Sequence, residues 1–265
     1  MKKKLCILAS IGLASISSNS VFANPNSNIA ACKDLPTWTQ LKTAIDGAHA
    51  TSTAENGGFG LNMWATLVNR DGVVCNVAFT GADRGAQWPG SRAISAAKAY
   101  TANAYSLPGL ALSTANFYAS GQPGGSLWGL QFSNPVNPDL IAGNPKRFGQ
   151  HNDPMINKKV AGQIVFGGGF ALYNSQGTLV GGIGVSGDTS CKDHNFGWRV
   201  RHGLNLDFVP GGVNPDTTRA DNIIYDMGAA SQGLIVSPSG FGHTDCGLGE
   251  NAISLTLPVT QTVAP

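Results

Sequence analysis

Thirty-five of the 265 residues are glycine, about 13% of the chain, against roughly 7% in an ordinary domain. Each glycine inside a helix costs about 1 kcal/mol relative to alanine, which argues against a coiled coil or a helical bundle. Such a chain favours short strands, many turns and backbone packed closely against backbone or ligand. Charged residues are only 12% and hydrophobic ones 42%, so disorder is not the expectation and the length supports a sizeable core.

The formal charge of +2 misleads. Lys2, Lys3 and Lys4 precede an apolar run of 12 residues from Leu5 to Ile16, and Val21-Phe22-Ala23 ends the segment. A charged start, an apolar centre and a small-residue end make a secretory signal peptide over residues 1–23. The run is too short for a bilayer, which needs about 20 apolar residues. Removing it takes three of the 17 basic residues and leaves 14 against 15 acidic ones, a net charge of −1. A basic nucleic-acid surface is not supported. The remaining 24–265 is expected to be exported, periplasmic or extracellular, with no transmembrane span.

Export changes what the cysteines mean. Cys6 falls within the leader, and Cys32, Cys75, Cys191 and Cys246 remain. An even number in an oxidising compartment favours two disulfides, and sequence alone does not choose among the three connectivities. Cys32–Cys75 would pin the mature N-terminus to an early strand. Cys191–Cys246 would fasten a C-terminal excursion to the core. A competing arrangement exists, because Cys191…His194 and His243…Cys246 are mirror-image pairs that could supply a Cys2His2 zinc site.

Trp38, Leu41, Ile45 and Ala48 recur at helical steps and predict a helix of about four turns, ended by Gly57-Gly58. Leu61–Asn69, an Asp71-Gly72 turn and Val73–Thr80 predict a hairpin, with Cys75, Val77 and Phe79 on one face. Ser91–Ser106 is an alanine-rich helix able to lie close to a sheet. Leu127–Phe132 is a strand candidate. Residues 133–159 carry four of the 14 prolines and form an irregular insertion. Val160–Tyr173 and Thr178–Val185 are strands, a helix follows from about Lys192 to Leu206, and Asn222–Met227 is a last strand candidate. No repeat or clean linker divides the chain, so a single α+β domain with two long loop-rich excursions is expected.

Gly181-Gly182-Ile183-Gly184-Val185-Ser186-Gly187-Asp188 is the most informative local feature. A strand ending in Ser186-Gly187 and feeding a helix leaves amides free for an anion. The same residues also suit a tight connection capped by Ser186, Asp188 or Thr189. No Gly-Lys-Ser/Thr follows, so it is not a P-loop. His49 stands at i+8 from Leu41 and i+4 from Ile45, at the edge of the first helix's apolar face. It could donate to a metal or simply complement the helix dipole. Arg84 could equally pair with Asp83 or another carboxylate. Only Glu55 and Glu250 are glutamates, Ser186 lacks a Gly-x-Ser-x-Gly elbow, and a binding protein is the stronger expectation than an enzyme.

The run Val180–Asp193 resembles the signature of the HbpS/GlcG/PduO-C-terminal family of haem-binding proteins, with Lys192 where glutamine is common and Asp193 in register. Gly167-Gly168-Gly169-Phe170, Arg84, Ser91-Arg92-Ala93-Ile94 and Lys98-Ala99-Tyr100-Thr101-Ala102 resemble further family segments over about 36–206. The insertion near 133–159 and the extension near 207–265 have no family counterpart. The resemblance implies an antiparallel sheet of about five strands flanked by helices, often in homo-oligomers. It implies haem as ligand, for sequestration, degradation or redox sensing, with His49 as axial ligand. Arg84, Arg92, Lys98, Ser186, Gly187 and Asp193 are then candidates around the propionates. The alternatives are a carboxylate-binding protein or enzyme that uses the Ser-Gly turn without haem, and a structural or interaction module.

Overall fold

The computed structural model describes residues 32–50, 56–228 and 236–263. The expected leader, Glu55 and both chain ends lie outside them. Strands β1 (Trp64–Asn69), β2 (Val74–Phe79), β3 (Gly169–Tyr173) and β4 (Leu179–Ser186) form one sheet in the order β2-β1-β4-β3, antiparallel throughout. The three longer helices are α1 (Trp38–Ala50), α2 (Ser91–Tyr105) and α3 (Ser190–Gly203). The α+β class and antiparallel sheet are as expected, with four strands rather than about five. No described helix is long and apolar enough to cross a membrane.

The helices take opposite faces of the sheet. Leu41 and Ile45 of α1 and Phe196 and Val200 of α3 pack with Leu67, Ile183 and Val185. On the other face, Ala96, Ala97 and Ala99 of α2 pack with Trp64, Val68 and Val77. Thr66 and Ser95 hydroxyls meet at 2.7 Å across that second interface. Glycine sets how close α2 comes. A Cβ on Gly184 would fall onto the Ser95 carbonyl and the Ala99 amide, and one on Gly182 onto the Ala99 carbonyl. Backbone atoms of a helix cannot swing aside as a side chain can. Gly184→Ala is therefore expected to cost about 2–3 kcal/mol by overpacking, read as a lowered urea midpoint. Gly47→Ala, in α1 with nothing within 4 Å of an added Cβ, should cost nothing and gain helix propensity.

The β1–β2 hairpin turns at Gly72, which has φ +74°, while the Asn69 side chain accepts from Asp71 and Val73 amides at 3.0 Å each. One expectation about β2 is corrected. Val77 and Phe79 face α2, but Cys75 packs in the α1 cluster with Ala78. The pairing skips from Leu67↔Asn76 to Val68↔Val74, so Cys75 is the extra residue of a β-bulge, and the alternation shifts by one. Cys75 is there bonded to Cys32, and Cys191 to Cys246.

Three further strand expectations give way. Leu127–Phe132 is turn running into a single-turn helix, Leu130–Ser133. Only Gly169–Tyr173 of the 160–173 run is strand, because Gly167 and Gly168 break the ladder, Gly168 at φ +115°. Residues 222–227 form no strand; the backbone instead receives His243 N–H at Ile224 O, 2.7 Å. The 133–159 segment holds the short turns Pro138–Leu140 and Pro145–Arg147. It is clamped to α2 by Arg92, whose guanidinium holds both Asp153 oxygens and the Leu140 carbonyl. The C-terminal excursion covers α3, with Trp198 Nε1 donating to Pro258 O at 2.9 Å and Leu257 reaching the core.

Candidate functional site

The Ser-Gly turn ends β4 and opens α3, whose N-cap Thr189 accepts from the Lys192 amide at 3.1 Å. Asp193 folds back beneath it. Its Oδ1 accepts from Gly187 N at 3.1 Å and Asp188 N at 3.0 Å, and its Oδ2 lies 2.6 Å from Lys98 Nζ. Lys98 and Asp193 are fully buried. Gly168 leaves the room, since a Cβ there would sit 2.9 Å from both Asp193 Cβ and Lys98 Nζ. Lys98 comes from the helix on one face of the sheet and Asp193 from the other, so the pair joins the two layers beyond the strand ends. Burial pushes the Asp193 carboxyl up to about 6 despite Lys98, and pulls the Lys98 ammonium down.

The anion that the turn's amides could hold is therefore the chain's own Asp193. Asp188 is engaged as well, accepting from Phe59 N (2.9 Å), Leu61 N (2.8 Å) and Thr189 N (2.7 Å). Lys192 lies 3.0 Å from the same carboxylate. Ser186 is buried opposite Trp64 in the ladder. Lys98, Gly187 and Asp193 are thus brought together, but around one another, and Ser186 lies at the strand end beside them. The alternative in which this turn binds a free carboxylate loses its donors.

Arg84 and Arg92 meet elsewhere. They border a cleft of about 350 Å³ between the start of α2 and the insertion, walled by Trp64, Pro89, Ala93, Ile141, Pro145 and Phe148. Arg92 is buried, paired with Asp153 and stacked 3.8 Å from the Phe148 ring centroid. Arg84 is exposed, and Asp83, its expected partner, instead accepts from Gly85 N at 2.6 Å. Asp153 and the insertion walls were not legible in the sequence, because the segment has no periodicity to read.

His49 lies in the last turn of α1, half-buried, on the face of the sheet opposite the cleft. Burial first, and the Lys192 ammonium second, depress its pKa. The imidazole is held neutral, the state in which it can donate to a metal. His194 and His243 are committed otherwise. His194 Nε2 lies 3.0 Å from Asn222 Oδ1 and 3.1 Å from Ile223 N. His243 Nδ1 donates to Thr244 O at 2.7 Å, and its ring packs against Tyr118 at a 37° tilt. With Cys191 and Cys246 bonded to each other, the Cys2His2 alternative is removed. No group of three or more His, Cys, Asp or Glu among the described residues is placed to hold a metal ion.

The ordered set of helix, hairpin, alanine-rich helix, glycine strands and Ser-Gly turn coincides with a family model described as "Haem degrading protein HbpS-like", which matches residues 37–199. The chain belongs to the HbpS-like family. Two solved structures resemble this HbpS-like chain. One, "PduOC:Heme Complex", has TM-score 0.43 and 20% identity over 63% of this chain and 91% of its own. The other, Klebsiella pneumoniae protein ORFY, has TM-score 0.42 and 21% identity over 64% and 90%. A search of curated proteins gives no match. The HbpS-like match takes in His49, Arg84, Arg92, Lys98 and the Ser-Gly turn, and stops before the C-terminal excursion.

Proposed function

We propose that this protein is exported and binds haem or a related tetrapyrrole, with His49 as axial ligand. The HbpS-like match over 37–199 carries the proposal. The donor chemistry fits, because His49 is a half-buried imidazole kept neutral by burial and by Lys192, while His194 and His243 are enclosed and hydrogen-bonded. A bound haem would supply iron for ligand exchange or redox; the chain supplies the imidazole that holds it. Arg92 and Lys98 are spent in buried ion pairs, so the propionates fall to cations still exposed. Export is supported by the Lys2–Ile16 pattern and by the pairing of all four remaining cysteines.

The test is a hemin titration of oxidised 24–265 followed at the Soret band, beside His49→Ala. A saturable, near-stoichiometric shift that loses at least tenfold in affinity in the variant is expected. A shift unchanged by His49→Ala would dismiss the axial assignment, and no saturable shift would dismiss haem.

A further inference from the structure

The cleft beside Arg84 has features that His49 does not explain. It lies on the other face of the sheet, and three of its ten lining residues, Ile141, Pro145 and Phe148, come from the insertion. We propose that this cleft is a second binding site, selective for a flat aromatic monocarboxylate of two or three fused rings. Volume sets the size, because about 350 Å³ is at the small end of the roughly 300–1,000 Å³ typical of ligand sites. The walls set the shape. Half-buried Phe148 presents its ring, Trp64 borders the cleft with only 1% of its surface exposed, and Pro89, Ala93 and Pro145 add aliphatic surface without hydrogen-bonding groups.

Charge sets the functional group. Arg92 lies in the wall but is neutralised by Asp153, and its stacking fixes the Phe148 ring rather than offering a free cation. Arg84 borders the cleft, is exposed, and makes no ion pair among the described residues. Lys146 and Arg147 follow Pro145 in the turn Pro145–Arg147, both exposed and without an ion-pair partner among the described residues. An apolar slot with a cationic mouth holds a ring system by its faces and leaves its carboxylate at the guanidinium.

The test is calorimetric titration of oxidised 24–265 with 2-naphthoate and with neutral 2-naphthamide. One saturable naphthoate site is expected, about tenfold weaker in Arg84→Gln, with naphthamide affinity the same in both proteins. Ala93→Phe, which fills the slot from α2, should abolish binding of both probes while the thermal melt confirms folding. Arg84→Gln is a surface change and keeps the test decisive should Ala93→Phe fail to fold. Absence of saturable naphthoate binding, or binding indifferent to Arg84→Gln, would overturn the site. Adding hemin separates the two sites. Naphthoate affinity unchanged by saturating hemin supports a second site, whereas displacement would make the cleft part of the haem site and overturn its independence. Failure of hemin to bind at all would leave the naphthoate result standing on its own.

Discussion

Asp193→Ala is expected to destabilise the protein by about 3–5 kcal/mol, the usual cost of breaking a buried ion pair from one side. In a chain of this size that lowers the melting temperature by roughly 10 °C or more. Three donors lose their acceptor together: Lys98 Nζ and the amides of Gly187 and Asp188. The two halves of the effect are separable. Asp193→Asn with Lys98→Met removes both charges but keeps an amide oxygen for the turn, and should recover most of the loss. Asp193→Leu with Lys98→Met also removes both charges but abandons the amides, and should recover less. Lys98→Met alone should be milder, because a carboxyl already raised to about 6 by burial can take up a proton. Urea denaturation of the four variants checks this. Equal stability of the two double variants would mean that the turn amides contribute nothing.

Acid should unfold the protein through His194 and His243. Burial lowers them to about 3 and about 4 from the ordinary 6.5. Their contribution is present above pH 6.5 and is lost as pH falls toward the folded values, because the unfolded chain takes up protons that the folded one refuses. Asp193 acts the other way. Its folded pKa of about 6 exceeds the ordinary 3.8, so below pH 6 the folded chain gains a proton and some stability returns. Between pH 6 and 4 these three groups leave the unfolded state about one proton ahead, a loss on the order of 1 kcal/mol per pH unit. Asp193→Asn combined with Lys98→Met, which removes both coupled groups, should steepen the slope to about twice that. Unfolding free energies measured from pH 7 to 4 decide the matter, and a flat profile would rule out the neutral buried imidazoles.

The framework was legible where periodicity and glycine chemistry speak. Leu41 and Ile45 announced α1, Asp71-Gly72 announced the hairpin, and the Ser-Gly turn announced the start of α3. What escaped was set by tertiary partners. Whether Gly187 and Asp188 amides face a ligand or Asp193 depends on how far α3 folds back, which no local pattern records. Arg92 and Lys98 read as available cations until Asp153 and Asp193 arrive from segments 61 and 95 residues away. Leu127–Phe132 and Asn222–Met227 have strand-like composition, but in the fold neither segment is paired as a strand. The Ser-Gly signature thus marks an architectural joint, and the ligand chemistry has to be sought at His49 and in the cleft.

The bulge at Cys75 carries a consequence for how the chain matures. In an uninterrupted ladder Cys75 would join Val77 and Phe79 under α2, on the opposite side of the sheet from Cys32. Only the register that skips one residue presents its sulfur to the N-terminal segment. Oxidation at this pair is therefore expected to require the aligned hairpin. A hairpin slipped by one position would keep Cys32 and Cys75 apart as two thiols open to exchange.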